Sequence, residues 1–154
     1  MSAGTDEGMW KSGKLETNHS LVDGSMNDLG NKELSGRVIE AAIEVHKTLG
    51  PGFLESFYEE ALCIELTHRG IRFERQKPIA ITYRGVQIGE HRVDLLVEGA
   101  LLLELKAVAA VEDVFFAIGR SYLKALGLRD GLILNFAAMP LEIRRIGPGH
   151  PSVS

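Results

Sequence analysis

The chain has 154 residues, which is long enough for one domain with a substantial hydrophobic core. Its content of 45% hydrophobic and 25% charged residues is ordinary for a globular protein, and no apolar run approaches the roughly 18 residues of a membrane helix. The net charge of -4 argues against a strongly basic nucleic-acid-binding protein. The N-terminus shows no signal-peptide pattern, and the single cysteine, Cys63, cannot form an internal disulfide, so we expect a cytoplasmic protein.

The two ends of the chain differ in composition from the middle. Residues 1–32 are rich in Gly, Ser, Asn, Asp and Thr and lack sustained apolar periodicity, so we expect a disordered tail there. Residues 148–154, which include Pro148 and Pro151, are expected to form a second tail. One folded domain is therefore predicted at residues 33–147.

The domain is predicted to begin with a helix near Leu34, with Ser35 as its N-cap and Gly50-Pro51 as its end. Its apolar stripe consists of Val38, Ala42, Val45 and Leu49, widened by Ile39 and Ile43. His46 lies next to this stripe, where a histidine is usually a packing residue and less often a functional one.

A second helix is predicted from about Leu54 to Arg69, before Gly70. Its stripe is expected to consist of Leu54, Phe57, Ala61 and Ile64, with Leu62 on the flank. Glu55 and Tyr58 are three residues apart, so they share a face near the start of this helix.

Strands are predicted at residues 71–74, 79–83, 86–88, 91–97 and 101–107, with a turn at Arg84-Gly85. A helix at 112–126 ending before Gly127, a buried strand at 131–136 and an edge strand at 142–146 complete the domain. This order indicates a mixed α/β (α+β) fold with a sheet flanked by helices.

Three charged residues, Asp94, Glu104 and Lys106, interrupt two apolar strands joined by residues 98–100. Buried charges are costly unless they are paired or bind a metal. A three-residue connection places Val97 opposite Leu101 and Asp94 opposite Glu104 on one face, whereas a two-residue turn without a bulge separates the two acids. We therefore expect the longer turn or a bulge. Two carboxylates beside a lysine are typical of a divalent metal site, and a Glu104–Lys106 ion pair is the alternative.

The pattern of Asp94 followed by Glu104-Leu105-Lys106 resembles the PD-(D/E)XK nuclease superfamily. A second pattern, Gly52-x-x-Glu55-x-x-Tyr58, resembles the signature of the GxxExxY family within that superfamily. The resemblance extends over residues 33–147 and includes Glu59-Glu60-Ala61-Leu62, Arg75-Gln76-Lys77-Pro78, Tyr122-Leu123-Lys124 and Leu134-Asn135-Phe136.

This resemblance implies a restriction-endonuclease-like α-β-β-β-α-β core that hydrolyses phosphodiester bonds in nucleic acid, with Mg²⁺ as cofactor and Mn²⁺ as a substitute. It implies that Asp94, Glu104 and the Leu105 carbonyl bind the metal, that Glu55 binds or supports it, and that Lys106 orients the attacking water. These ligands agree with the preference of Mg²⁺ for hard oxygen donors. Further candidate site residues are His46, Tyr58, Gln76 and Tyr122.

One position departs from the family pattern. Relatives often carry a glutamine one helical turn before the tyrosine of the helix that follows the E-x-K strand, and Ile118 occupies that position here. Two hypotheses follow: a metal-dependent nuclease, or a catalytically weak or inactive module that binds a nucleic-acid or protein partner. The second hypothesis retains the Glu104–Lys106 ion pair, and its nucleic-acid form uses the densest basic cluster, Arg69, Arg72, Arg75 and Lys77.

Overall fold

The structure, a computed structural model, describes residues 24–147, with side chains from residue 30 onward. Residues 1–23 of the predicted N-terminal tail and the predicted C-terminal tail at 148–154 lie outside the described residues. Residues 24–32, also predicted to be disordered, belong to a helix. The domain boundaries stay predictions. The chain divides into two units, residues 1–33 and 34–154, and the fold given below is that of the second unit. Within the described part of the chain, no helix has both the length and the apolar character needed to cross a membrane.

The described elements form a five-stranded sheet with helices on both faces. In chain order they are α1 (Gly24–Leu49), α2 (Glu55–His68), β1 (Phe73–Tyr83), β2 (Val86–Val97), β3 (Leu101–Lys106), α3 (Asp113–Leu126), β4 (Asp130–Asn135) and β5 (Glu142–Ile146). The sheet order is β1-β2-β3-β4-β5, and only β3 and β4 are parallel, with α3 as their crossover. The predicted α+β fold is confirmed, and the order contains the expected α-β-β-β-α-β core.

Alternating side chains of β3 separate two hydrophobic cores. Leu101, Leu103 and Leu105 are fully buried and join the core formed with α1 and α2. Leu102 points to the opposite face and joins the core formed with α3. Glu104 and Lys106 follow Leu102 at intervals of two residues, so they lie towards the α3 face.

Strands β1 and β2 are longer than the sequence pattern predicts, because each combines two predicted short strands. Pro78, which argues against a continuous strand in the sequence, is accommodated because β1 is the edge of the sheet and needs no outward donor there. The predicted turn is confirmed: Arg84 and Gly85 have φ values of 51° and 81° and join Tyr83 to Val86.

Helix α1 begins at Gly24, not near Leu34, so the predicted N-cap at Ser35 is wrong. Ser35 is 2% exposed within the helix, and its Oγ accepts a hydrogen bond of 3.3 Å from Arg145 Nη2. The apolar stripe is largely confirmed, because Val38, Ala42 and Val45 are buried, although Ile43 is 39% exposed.

Helix α2 has the predicted extent but buries a different face. Leu54, Phe57 and Ile64 are 68%, 52% and 63% exposed, so the predicted stripe is wrong. The buried residues are Tyr58, Leu62, Cys63 and Leu66. Both sets have helical spacing, and only tertiary packing against the sheet selects the second. Cys63 is 7% exposed and packs on this face as a small hydrophobic residue.

Candidate metal centre

The hairpin of β2 and β3 has the predicted three-residue connection. Val97 pairs with Leu101, and the Ala100 N–H donates to the Val97 carbonyl at 2.9 Å. Glu98 and Gly99 turn the chain with φ values of 53° and 65°. The ladder continues through Leu96–Leu102 and ends at Leu95–Leu103. The next residues in this register are Asp94 and Glu104, on the same side of the hairpin as predicted.

Beyond Leu95–Leu103, carboxylates replace the backbone as hydrogen-bond acceptors. The Leu105 N–H donates to Asp94 Oδ2 at 2.8 Å, and the Asp94 N–H donates to Glu104 Oε2 at 3.3 Å. One oxygen of each carboxylate is thereby bonded to the neighbouring strand. These bonds explain how two acidic side chains are held side by side in an otherwise apolar hairpin.

The two carboxylates are held in an environment that disfavours their negative charge. Burial, followed by repulsion from Asp94, raises the pKa of Glu104 to about 8. Burial also raises the pKa of Asp94, while the hydrogen bond from the Leu105 N–H acts in the opposite direction. A bound cation would compensate for both effects.

Lys106 lies at the end of β3, with Nζ 4.4 Å from the centre of the Phe115 ring. In the part of the chain that the structure describes, no carboxylate oxygen lies within 4.0 Å of Nζ, so the alternative Glu104–Lys106 ion pair is not formed. The aromatic ring therefore supports an ammonium group that retains its capacity to bind an anion.

Glu55 is the first residue of α2, and the backbone amide of Ala107, directly after Lys106, favours the charged form of its carboxyl and so acts to lower its pKa. Burial and then repulsion from Asp94 raise the pKa of Glu55. Helix α2 begins at the end of the sheet where β3 finishes, so Glu55 lies near the hairpin although it is distant in sequence. The helix terminus thus adds a third acidic group to the electrostatics of the site.

Tyr58 is fully buried and holds the connection between α1 and α2. Its hydroxyl donates to the Gly50 carbonyl at 2.5 Å and accepts from the Phe53 N–H at 3.1 Å. Its ring stacks on Phe136 at a centroid distance of 4.6 Å. Gly52, with φ of 114°, takes a backbone conformation that a side chain disfavours. Tyr58 and Gly52 thus shape the segment leading to Glu55, and Tyr58 supports the site from the core.

The oxygen ligands of Asp94 and Glu104 are of the kind that a hard divalent cation prefers, although Glu55 does not join them around one point. Among residues 30–147, no three His, Cys, Asp or Glu side chains form a group able to hold a metal, so the expected convergence of Glu55 with Asp94 and Glu104 is not found. Asp94 and Glu104 are adjacent, and both have charges that burial destabilises. Two carboxylates with a backbone carbonyl suit Mg²⁺, which retains several waters.

A cavity of about 300 Å³ lies next to these groups. Glu55, Asp94, Glu104 and Lys106 all line it, so the structure brings the four predicted catalytic residues to one cavity. Phe115, Ile118, Gly119, Tyr122, His91, Arg92 and Ile133 complete the lining.

The cavity wall formed by α3 is apolar and aromatic. Tyr122 stacks on His91 at a centroid distance of 4.4 Å, and burial raises the pKa of its hydroxyl to about 12. Ile118, at the position where the family resemblance implies a glutamine in many members, is 41% exposed on this wall. His46, by contrast, is buried in the core beside Phe136, at a ring distance of 6.1 Å, and does not line the cavity.

Three residues near the site were not anticipated from the sequence: Glu59, His91 and Arg92. Glu59 lies four residues after Glu55, so helical spacing alone places them on one face and could have indicated it. Its carboxylate accepts from Gln76 Nε2 and raises the pKa of Asp94. His91 and Arg92 belong to a stretch of β2 with no distinctive sequence signal.

The basic cluster considered for nucleic-acid binding is largely paired with carboxylates. Arg75 contacts Glu59 and Glu60, each at 2.8 Å. Arg69 pairs with Glu65 and Glu40, Lys77 pairs with Glu74, and Arg72 is partly buried. These ion pairs reduce the positive potential that an open basic face would offer to phosphate groups.

The chain was compared with known protein families and solved structures. The model of the PD-(D/E)XK nuclease superfamily matches residues 32–146. No curated protein matches the chain. The solved structure of SSO0001 is similar at 12% identity with a TM-score of 0.48, over 60% of this chain and 49% of that protein, so the chain spans about half of its length. Because this family model matches most of the chain, the chain belongs to the PD-(D/E)XK nuclease superfamily.

Proposed function

We propose that this protein is a Mg²⁺-dependent nuclease that hydrolyses phosphodiester bonds in nucleic acid. The observation that carries the proposal is the paired placement of Asp94 and Glu104 at the end of the β2–β3 ladder, beside a lysine that neither of them neutralises by contact. A purely structural role would be better served by an ion pair or by apolar residues, because isolated buried carboxylates are costly.

In this proposal Asp94, Glu104 and the Leu105 carbonyl hold the ion, and Glu55 supports it from α2. When bound, a divalent ion supplies Lewis acidity towards a phosphoryl oxygen and lowers the pKa of a coordinated water. The Leu105 amide keeps the Asp94 carboxylate in place through its 2.8 Å hydrogen bond. Glu104 is buried and Asp94 is half-buried, which limits the access of bulk water to their charges.

Lys106 is the proposed partner of the substrate phosphate and of the attacking water. Its ammonium group donates hydrogen bonds to them and stabilises the negative charge that develops on the phosphate. The Phe115 ring holds the lysine stem and ammonium in the cavity. Arg92 also lines the cavity, but its guanidinium pairs with Glu90 at 3.6 Å and donates to the Gln76 carbonyl at 3.2 Å, so the proposal assigns the phosphate to Lys106.

We further infer that the chain is a cytoplasmic member of the GxxExxY family. Gly52, Glu55 and Tyr58 have complementary roles in the turn, the cavity and the core, which gives a physical basis for that spacing. The second candidate, a catalytically weak or inactive module, is favoured by one observation: Ile118 presents an alkyl group to the cavity where relatives have an amide.

Metal binding is tested by titration calorimetry with Mg²⁺ and with Mn²⁺. We expect heat of binding for the wild type and its loss in Asp94→Ala, with Glu44→Ala on the exposed face of α1 as the matched control. Absence of heat with the wild type, or equal heat with Asp94→Ala, would contradict the proposed ligands.

Catalysis is tested with single-stranded, duplex and structured DNA and RNA in Mn²⁺, with chelator controls. Lys106→Ala should reduce the cleavage rate by about 10²-fold or more, as expected for loss of a group that stabilises transition-state charge. Lys47→Ala, on the exposed face of α1, is the matched control. Cleavage that survives Lys106→Ala points to contamination or to another site, and metal binding without any cleavage points to the inactive module.

A further inference from the structure

The residue opposite Asp94 on β1 has an unusual backbone. Arg75 faces Leu95 and Lys77 faces Val93, so the register places Gln76 opposite Asp94. Opposed residues on antiparallel strands project to the same face and lie close together. Gln76 has φ of 54°, in the left-handed region that non-glycine residues seldom occupy. Such strain is retained where surrounding interactions determine the conformation.

The side chain of Gln76 is held by Glu59 and lies opposite Asp94. Its Nε2 donates to Glu59 Oε1 and Oε2, both at 3.1 Å. The same amide faces Asp94 across the strand pair and favours the charged form of its carboxyl, which acts, against the larger effect of burial, to lower the pKa of Asp94. An amide nitrogen carries two donor hydrogens, which suits a position between two anions. The amide oxygen could not replace it there without repulsion.

Two arginines support Gln76, one through Glu59 and one through the Gln76 backbone. Arg75 Nε donates to Glu59 Oε2 at 2.8 Å, which holds the carboxylate that receives the amide. Arg92 Nη1 donates to the Gln76 backbone carbonyl at 3.2 Å, which supports the left-handed backbone. The Glu59 side chain is only 13% exposed, so this arrangement is shielded from competing water.

We propose that Gln76 is a positioning residue, which holds the Asp94 carboxylate against β3 so that it keeps its bond to the Leu105 N–H and presents a fixed ligand to the metal. The inference rests on the proposed function only in treating Asp94 as a metal ligand. The left-handed backbone of Gln76 is then the conformation that directs its amide towards Asp94. Removing the side chain should relieve the backbone strain and make the Asp94 carboxylate more mobile.

The first test is amide hydrogen exchange of the metal-free protein. Gln76→Gly removes the amide and suits the positive φ, and Gln87→Gly on the exposed part of β2 is the matched control. We expect the Leu105 amide to exchange about tenfold faster in Gln76→Gly and at the wild-type rate in Gln87→Gly, with no fall in the urea midpoint of Gln76→Gly. Unchanged Leu105 exchange, or faster exchange that only follows a loss of global stability, would overturn the proposal.

The second test is the affinity for Mn²⁺ measured by calorimetry. Loss of a residue that orients a ligand typically weakens metal binding by about 10–100-fold, so we expect a Kd for Gln76→Gly at least tenfold above that of the wild type. Glu59→Gln, which preserves the shape of the side chain but weakens its hydrogen bonds with the Gln76 amide, should also raise the Kd. Equal Kd values for wild type and Gln76→Gly would overturn the positioning role and leave the nuclease proposal intact. If the wild type binds no Mn²⁺ while Leu105 exchange still depends on Gln76, the metal assignment fails and the positioning role stands.

Discussion

The raised pKa of Glu104 predicts that the metal-free protein loses stability as the pH rises. The folded-state pKa of about 8 exceeds the ordinary value of 4.5, so the folded protein holds this proton more tightly than the unfolded chain does. The contribution of Glu104 to stability is therefore fully present below pH 4.5 and is lost as the pH rises through about 8. Asp94 and Glu55 have pKa values raised in the same direction and add to the trend.

The size of this effect follows from the burial of Glu104, which is 8% exposed. Since one pKa unit corresponds to about 1.4 kcal/mol, the full change has an upper limit of about 5 kcal/mol. Penetration of water towards the charged carboxylate lowers that cost, and we expect a loss of about 2–4 kcal/mol between pH 5 and pH 9. Glu104→Gln, which retains an acceptor for the Asp94 N–H, should avoid most of this loss.

The assay is urea unfolding of wild type and Glu104→Gln in chelator at several pH values, with Glu44→Gln on the exposed face of α1 as the control for loss of one carboxylate. The stability gained by Glu104→Gln should be small at pH 5 and largest near pH 9. Adding Mg²⁺ at high pH should raise the free energy of unfolding of the wild type more than that of Glu104→Gln. A gain that is independent of pH would refute the assignment of Glu104 as the buried, destabilised carboxylate.

Three further predictions concern the cavity wall and the turn before α2. Ile118→Gln should raise the cleavage rate about tenfold or more, because it places a hydrogen-bonding amide in the cavity. Val114→Gln, one turn earlier and outside the lining, should leave the rate unchanged. Equal rates for the two variants would discount the role of position 118. Gly52→Ala should lower the free energy of unfolding by about 1–3 kcal/mol because of its φ of 114°, whereas Gly36→Ala within α1 should raise it slightly, as measured by urea unfolding. Tyr58→Phe should cost about 1–3 kcal/mol by leaving the Gly50 carbonyl and Phe53 N–H unpaired, and should also reduce cleavage; a stable variant with full activity would contradict its support of Glu55.

The sequence predicted the hairpin well because its evidence is local. The length of the connection at residues 98–100 determines the parity of every following residue, so Asp94 and Glu104 could be assigned to one face. The same reasoning could not show that the ladder ends at Leu95–Leu103. That break depends on the two carboxylates taking the backbone bonds, which is a balance between competing acceptors.

Other features depend on contacts between segments far apart in the chain. The buried face of α2 could not be chosen from periodicity, since residues 54, 57, 61 and 64 and residues 58, 62 and 66 have equally good helical spacing. The association of Lys106 with Phe115, in place of an ion pair with Glu104, arises from the packing of α3 on the sheet. The left-handed backbone of Gln76 likewise has no local sequence signal, because glycine or asparagine is the usual residue there.

Tyr58 and the β2–β3 hairpin are held by separate sets of hydrogen bonds, which matters for interpreting related sequences. Tyr58 and Gly52 stabilise the turn before α2 through the core, and neither contributes an atom to the hydrogen bonds between Asp94, Glu104 and Leu105. A relative could therefore lose both acids and still form the same turn. The glycine–tyrosine spacing is thus a marker of architecture, whereas retained chemistry must be judged from Glu55, the aspartate and the E-x-K strand.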